Sequence, residues 1–599
     1  MPDETQELRR INWNECFGFI RIFRSFRMAI HPSKLVLATA GLILTGAVGL
    51  IMDSIWCASG HSVLPGEIAA YLQSDDVAQW RHAQMRSGRQ IVQEILADDN
   101  VLDREKDPAG AVATDDAYLA TLDRLPRRIR EHYEKTIEEI DRADKDGLTK
   151  RIRELAPSGG GATQDMRDDP SQLRSLARQL ALEAHQTALQ KVQTLQPRGI
   201  FRSFLQCQRG CLRQAVESAW GLNFVGMMGD VMGDRRAAVQ VFQAPMADGP
   251  GLIPTLMMMA LVKKWLFTQH WFFAVIFGLL ALAIWSFVGG AICRIAALHA
   301  TRDERIPMKQ ALGFARRKFV GFFAAPLIPV ALIVFIGVFL AIGGLVMAIP
   351  YVGEVVGGFL FFLALLGGFV MALVLIGAVA GGSLMWPTIA VEGSDSFDAI
   401  SRSFSYIYSK PWRTLLYFLV ASVYGAICFL FVRFFVFLML LLTRGFVGIG
   451  LWGTSREAAG AGMTKMDTMW KMPSFEALMP CWASLGREGA DAWGGFLIAI
   501  WVGLAVVLSY AFLICLYYSA STVAYTLLRR EVDATDLEEV YVEETEEETP
   551  PATPSPAPAP APSPAPAPTS TAPPVEPPPA SPAPEPPGSP TGESPTTGN

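Results

Sequence analysis

The chain has 599 residues, 51% of them apolar and only 18% charged, with a net charge of -6 and a mean hydropathy of +0.28. Soluble domains carry about 25% charged residues and nucleic-acid binders a marked basic excess, so both classes are excluded. The 8 cysteines are too sparse for a disulfide-built scaffold. What fits is an all-α polytopic membrane protein with about six transmembrane helices, since lipid leaves no backbone group unpaired and a spanning helix needs about 20 apolar residues.

Residues 1–34 form a basic lead-in segment with Arg9, Arg10, Arg21, Arg24, Arg27 and Lys34. The first apolar run, 35–56, is too long for a signal-peptide core, and the bulky Trp56 before Cys57 is unlike a lipoprotein cleavage site. It reads as an uncleaved signal anchor.

Residues 57–270 are rich in Arg, Asp, Glu, Gln, Leu and Ala, which predicts a helical insert. Ile129, Tyr133, Ile137 and Ile140 make one helical stripe; Leu173, Leu176, Leu180, Ala184, Leu189, Val192 and Leu195 make another. Ser158-Gly159-Gly160-Gly161 separates them, so an antiparallel helical hairpin is expected. Leu252 to Val262 is apolar but too short to cross and reads as an interfacial or core helix. Cys57, Cys207, Cys211 and Cys481 share the side of the insert. Cys207 and Cys211, four apart, do not suit a mutual disulfide on one helix, and other pairings stay open.

Residues 271–530 contain five further apolar runs: 271–293, 319–349, 355–391, 412–442 and 494–527. The third to fifth of the six exceed ~20 residues, so tilt or interfacial extension is expected. Basic residues cluster before the first run, between the second and third (Arg294 to Lys318), between the fourth and fifth (Arg402, Lys410, Arg413) and after the sixth (Arg529, Arg530). The positive-inside bias therefore predicts both termini in the cytoplasm and the insert outside it. Lys263 and Lys264 oppose this and are outvoted. Residues 531–599 turn acidic and then Pro/Ala-rich, with 21 prolines in the last 50 residues. Such a composition buries too little apolar surface to offset chain entropy, so a disordered cytoplasmic tail is expected, either a spacer or a docking segment for a protein partner.

Arg24-Ser25-Phe26 precedes the first run and Arg402-Ser403-Phe404 the fifth, each followed by a Pro and a cation; Ala311 to Phe319 holds the equivalent place before the third. Each predicts a short amphipathic helix in the membrane interface, apolar side in lipid, with Arg24, Arg402, Trp412 and Arg413 as interfacial anchors. Arg202-Ser203-Phe204 repeats the tripeptide inside the insert, where no such role fits. The segment from Ala390 to Leu416, with its acidic turn, Arg402-Ser403-Phe404 and Pro411-Trp412-Arg413 opening a span, resembles the multi-pass membrane domain fused to some bacterial glycerophosphodiester phosphodiesterases and found in related inner-membrane proteins. The resemblance covers at most the second to sixth runs. It implies a helical membrane module of the bacterial cytoplasmic membrane without established catalytic residues. The insert and the tail depart from it, and no phosphodiesterase domain is attached.

No phosphate-binding Gly-Lys-Ser/Thr loop, His-Glu-x-x-His or Gly-x-Ser-x-Gly occurs, and the seven histidines (His31, His61, His82, His132, His185, His270, His299) are scattered. No catalytic, cofactor or metal site is expected, and no nucleic-acid partner. Ionisable residues within spans are default candidates for a role. Asp53, Glu354 and Arg433 fall toward the same outer face, so Arg433 either snorkels to lipid phosphate or pairs with Glu354 or Asp53. Glycine pairs from Gly289-Gly290 to Gly381-Gly382 suit close helix packing. Two functional readings follow: a scaffold, assembly or sensing protein working through its insert and tail, or a permease-like bundle, which the scarcity of polar residues in mid-membrane disfavours.

Overall fold

The computed structural model describes residues 18–73, 77–98, 100–102, 109–155, 170–220, 251–451 and 490–541, with a few positions between 466 and 478. Among them the fold is all-α, and the one β-bridge joins Val63 to Arg198. The Pro-rich tail, Cys481 and the Ser158–Gly161 separator lie outside the described residues.

A 3-10 turn (Gly18–Phe23) and α1 (Arg24–Ala29) lead into α2 (Pro32–Ala58), which opens on Pro32 at a position where its missing N–H has no partner to lose. The insert supplies α3 (Glu67–Gln73), α4 (Val77–Ala97), α5 (Asp115–Arg142), α6 (Lys145–Leu155), α7 (Pro170–Leu195), α8 (Ile200–Trp220) and α9 (Leu252–Gln269). Then come α10 (Trp271–Thr301), α11 (Met308–Arg317), α12 (Phe319–Met347), α13 (Val352–Glu392), α14 (Ser396–Ser409), α15 (Pro411–Gly450) and α16 (Ala490–Asp533). Six of these are long and apolar enough to cross a membrane: α2, α10, α12, α13, α15 and α16. Their 27 to 44 residues exceed the roughly 20 that a bilayer needs, so the longest carry their ends well past the hydrocarbon.

The bundle core lies where α2, α10, α15 and α16 meet. Leu37 and Ala38 pack on Val288, Ala291, Ile292 and Ile295, and these on Ala511, Phe512, Cys515 and Leu516, with Cys428 closing the cluster. The hairpin α12–α13 differs: the most apolar stretches of both helices bury nothing inside the protein. Phe359 and Val355 are 80% and 73% exposed, which only a hydrocarbon solvent makes inexpensive.

The three lead-in helices α1, α11 and α14 gather at one end of the bundle, because the spans alternate in direction. Their apolar sides face protein: Ile22, Met28, Phe314, Ala399, Tyr406 and Ile407 join one buried cluster with Leu384, Ile389, Tyr525 and Leu527. The expectation that these sides lie in lipid is corrected on this point, since the span ends project far enough to cover them.

Within the insert, α5 and α7 form the expected antiparallel pair. Arg174 reaches the carbonyls of Ile140 and Ala143 at one end, and Gln196 reaches that of Leu122 at the other. Thr114 caps α5 by accepting from Ala117 N–H at 3.2 Å. The apolar 252–262 stretch extends into α9, whose Met258 packs with Cys211 of α8; it is a packed helix of the insert.

Candidate functional site

Two polar constellations close the two ends of the bundle. At the end that gathers the lead-in helices, α13 stops at Gly393, which adopts φ +66° as the left-handed residue that ends a helix. The last residue of α13, Glu392, is 8% exposed at its side chain and receives Arg402 of α14 at 2.9 Å and Arg529 of α16 at 3.2 Å, together with the Tyr525 hydroxyl. Arg402 also meets Asp398 at 3.1 Å and Asp533 at 3.8 Å. Burial works against the Arg402 cation, but Glu392 and Asp398 outweigh it and hold its pKa above the usual range. Burial and the Asp533 carboxylate push the Tyr406 hydroxyl up, consistent with its donating a hydrogen bond to Asp533.

Two further ties extend this clasp. Glu531 forms an ion pair with Arg413 at 2.7 Å and accepts from the Tyr417 hydroxyl, linking α15 to α16. Arg294 of α10, 5% exposed, donates to Ala390 O at 2.8 Å and Tyr541 O at 2.7 Å and lies 4.4 Å above the Phe314 ring. Tyr541 N–H in turn donates to Val391 O at 2.8 Å. The segment after the last span is thereby laid back on α10 and α13.

The anchor assignments change accordingly. Arg402 is engaged by carboxylates of three helices and Arg413 by Glu531, because the span ends carry acids at matching height that the linear sequence does not align. Arg24 is exposed, and Trp412 is 80% exposed at the start of α15.

At the opposite end, Asp53 of α2 is 2% exposed and accepts from Phe201 N–H at 2.7 Å and Arg202 N–H at 2.9 Å. These are first-turn donors of α8, which no intrahelical carbonyl satisfies. The residue before α8 is Gly199, where a Cβ would sit 2.2 Å from Asp53 Cγ; glycine lets the carboxylate in, and the carboxylate replaces the cap that glycine cannot supply. The Arg202-Ser203-Phe204 repeat is thus the start of α8. Beside it Val63 and Arg198 exchange two backbone hydrogen bonds of 2.9 Å, and buried Glu67 lies 3.6 Å from His270 at the start of α10.

The structure does not bring Arg433, Glu354 and Asp53 together. Among the described residues no ion pair joins Arg433 to either acid: Asp53 is spent on α8, Glu354 is exposed, and Arg433 donates to Phe475 O at 2.9 Å with its guanidinium 5.4 Å from the Phe475 ring. At 5% exposed it does not snorkel either. Phe475 lies against it, which spacing within the span cannot reveal.

The insert holds a pair that sequence reasoning left scattered. His132 of α5 and His185 of α7 are 8% and 0% exposed, with Nδ1 and Nε2 3.1 Å apart. His185 Nδ1 faces Ala181 O at 2.7 Å, so that nitrogen carries the hydrogen and Nε2 accepts from His132. Burial holds the His185 pKa down to about 4, with His132 and Arg151 adding to the effect. Both sit on the apolar stripes of their helices, His132 three residues after Ile129 and His185 four before Leu189, which was the signal for burial. A groove beside them is lined by Glu94, Asp98, Leu180, Glu183, Thr187 and Lys191. Cys207 and Cys211, one turn apart on α8, are hydrogen-bonded thiols, and the described cysteines are free. Among the described residues no three His, Cys, Asp or Glu side chains converge as metal ligands. No family model, curated protein or solved structure matches the chain.

Proposed function

We propose that the chain is an integral protein of the bacterial cytoplasmic membrane that scaffolds, assembles or senses, working through its insert and tail and performing no catalysis. Both termini are cytoplasmic in this reading, residues 57–270 lie on the other face, and residues 531–599 are a cytoplasmic docking tail. The observation that carries it is the Asp53 cap on α8. A charge-assisted, buried tie between the first span and the insert makes the insert a rigid extension of the membrane bundle, as a domain that passes on binding or load requires. The groove beside α4 and α7 offers the insert a surface for a partner.

The test is affinity capture after crosslinking in native membranes, read by mass spectrometry. The full-length chain, a chain lacking residues 550–599 and an Asp53→Ala variant are compared. Proteins enriched with the full chain and lost selectively with the tail deletion or the Asp53 variant support the reading. Recovery of the same background from all three contradicts it.

A further inference from the structure

Lys34, in the first turn of α2, is 0% exposed. Its ammonium carries three donors, yet among the described residues Ser519 Oγ, at 3.3 Å, is its one hydrogen-bond acceptor. The thiols of Cys293 and Cys515 lie near it, and among the described residues it makes no ion pair. A buried cation without a counter-ion is costly, and the polar groups nearby are also left over. Ser25 Oγ, His31 Nδ1 and His299 Nδ1 are buried and have no hydrogen-bond partner among the described residues, and the His31 and His299 rings meet edge to face at 6.2 Å.

Just above this group is a cleft lined by Arg21, Arg24, Arg27, His299, Asp303 and Thr526 among others. Ser519, Val523 and Thr526 follow one face of α16, so Lys34 lies about one helical turn, ~6 Å, below the level of Val523 in the cleft wall. His299 belongs to both: it lines the cleft and meets His31 edge to face beside Lys34. Among the described residues that line it the one acid is Asp303, which meets His299 at 3.3 Å and Arg27 at 3.5 Å and is 68% exposed. Among the described residues, Arg24, Arg27 and two histidines over a buried ammonium, against one solvated carboxylate, make an electropositive recess suited to an anion. Arg24 makes no ion pair among the described residues, and Phe23 and Ile30 on either side of α1 are 44% and 47% exposed, which sets the recess at the edge of the lipid.

We propose that the recess formed by Arg24, Arg27, His31, Lys34 and His299 binds a phosphate group, carried by an anionic phospholipid headgroup or by a soluble phosphate. Arginine forks match phosphate oxygens two at a time, while a lysine serves as a point charge beneath them. The site stands apart from the insert and the tail and does not depend on their proposed role.

The experiment uses the full-length protein in neutral detergent, with thermal unfolding followed under two titrations: inorganic phosphate, and mixed micelles of phosphatidylglycerol against phosphatidylcholine. The wild type is expected to gain several degrees in one arm or both. A gain with inorganic phosphate identifies a soluble ligand, and a gain with phosphatidylglycerol alone identifies the headgroup. In Arg24→Gln/Arg27→Gln the concentration giving half the gain should rise about tenfold or more, and in Lys34→Met the gain should vanish. If Lys34→Met does not fold, the surface double variant decides. No gain in either arm, or the same gain and the same half-concentration in the variants, overturns the proposal.

Discussion

The two ends of the span bundle are closed by opposite means. Where the lead-in helices gather, closure is many-sided: Glu392 alone engages α14 and α16, and Arg413, Arg294 and the 534–541 segment add further ties. At the insert end one carboxylate, Asp53, caps α8, beside the Glu67–His270 contact and an apolar cluster in which Met52 and Phe273 of the spans meet Phe201 and Trp265 of the insert. A network tolerates the loss of a peripheral member but not of its centre, whereas the loss of one capping carboxylate frees a single helix end and acts locally. The difference assigns global stability to the first end and coupling between insert and bundle to the second.

The largest expected effect is at the centre of the network. Glu392→Ala takes the buried carboxylate from Arg529, which is 12% exposed, while Arg402, 40% exposed, keeps Asp398, and removing one partner of a buried pair costs about 3 kcal/mol. Thermal unfolding in detergent should show one lowered transition for the whole bundle; an unchanged midpoint would mean that the network is solvated and inert. Asp53→Ala should cost about 2 kcal/mol by stranding two first-turn donors, read as earlier proteolysis between 195 and 220 with the spans still protected. Asp53→Asn, which keeps one acceptor oxygen, should recover part of it.

A smaller effect tests the insert itself. His185 is held near pKa 4 in the folded chain against about 6.5 when unfolded, so the unfolded state takes up the proton first. Stability is therefore full above about pH 6.5 and falls as the pH drops toward 4, by roughly 1 kcal/mol at pH 5.5. Glu94 of α4, Asp98 just beyond it, Arg151 of α6, His132 and Tyr133 of α5, and Glu183 and Lys191 of α7 are titratable or charged groups around it. Hydrogen exchange of α5 and α7 should accelerate over that range while the bundle does not, and His185→Phe should flatten the profile. The smallest effect belongs to an exposed pair: Arg127, 86% exposed beside Glu131 at 2.8 Å, should change stability by less than about 0.5 kcal/mol when replaced by Ala.

The spans were readable because hydrocarbon imposes one rule on every 20-residue window, and the six apolar runs met it. The α5–α7 hairpin was readable for a similar reason, since Ile129, Ile140, Leu173 and Leu189 repeat at helical spacing. Polar partners were not. Arg402–Asp398 is a four-residue spacing visible on one helix, but its stronger partner Glu392 sits across a turn, and Arg529 and Asp533 are more than a hundred residues away. Asp53 and Phe201 are 148 positions apart, and nothing local marks either as a cap. Spacing offers Arg433 the acids Glu354 and Asp53 as partners, whereas the carbonyl that holds it comes from Phe475, where a sequence shows only a side chain. Charges in spans announce that they need partners, and only the fold names them.

The central claim is that the Asp53-capped insert and the Glu392-centred clasp lie on opposite faces of the membrane. The most direct measurement fuses a reporter active only outside the cytoplasm, and one active only inside it, after Leu195 and after Arg530. The account predicts an outside signal after Leu195 and an inside signal after Arg530, with α2 crossing between Lys34 and Asp53. The same signal at both positions would contradict it.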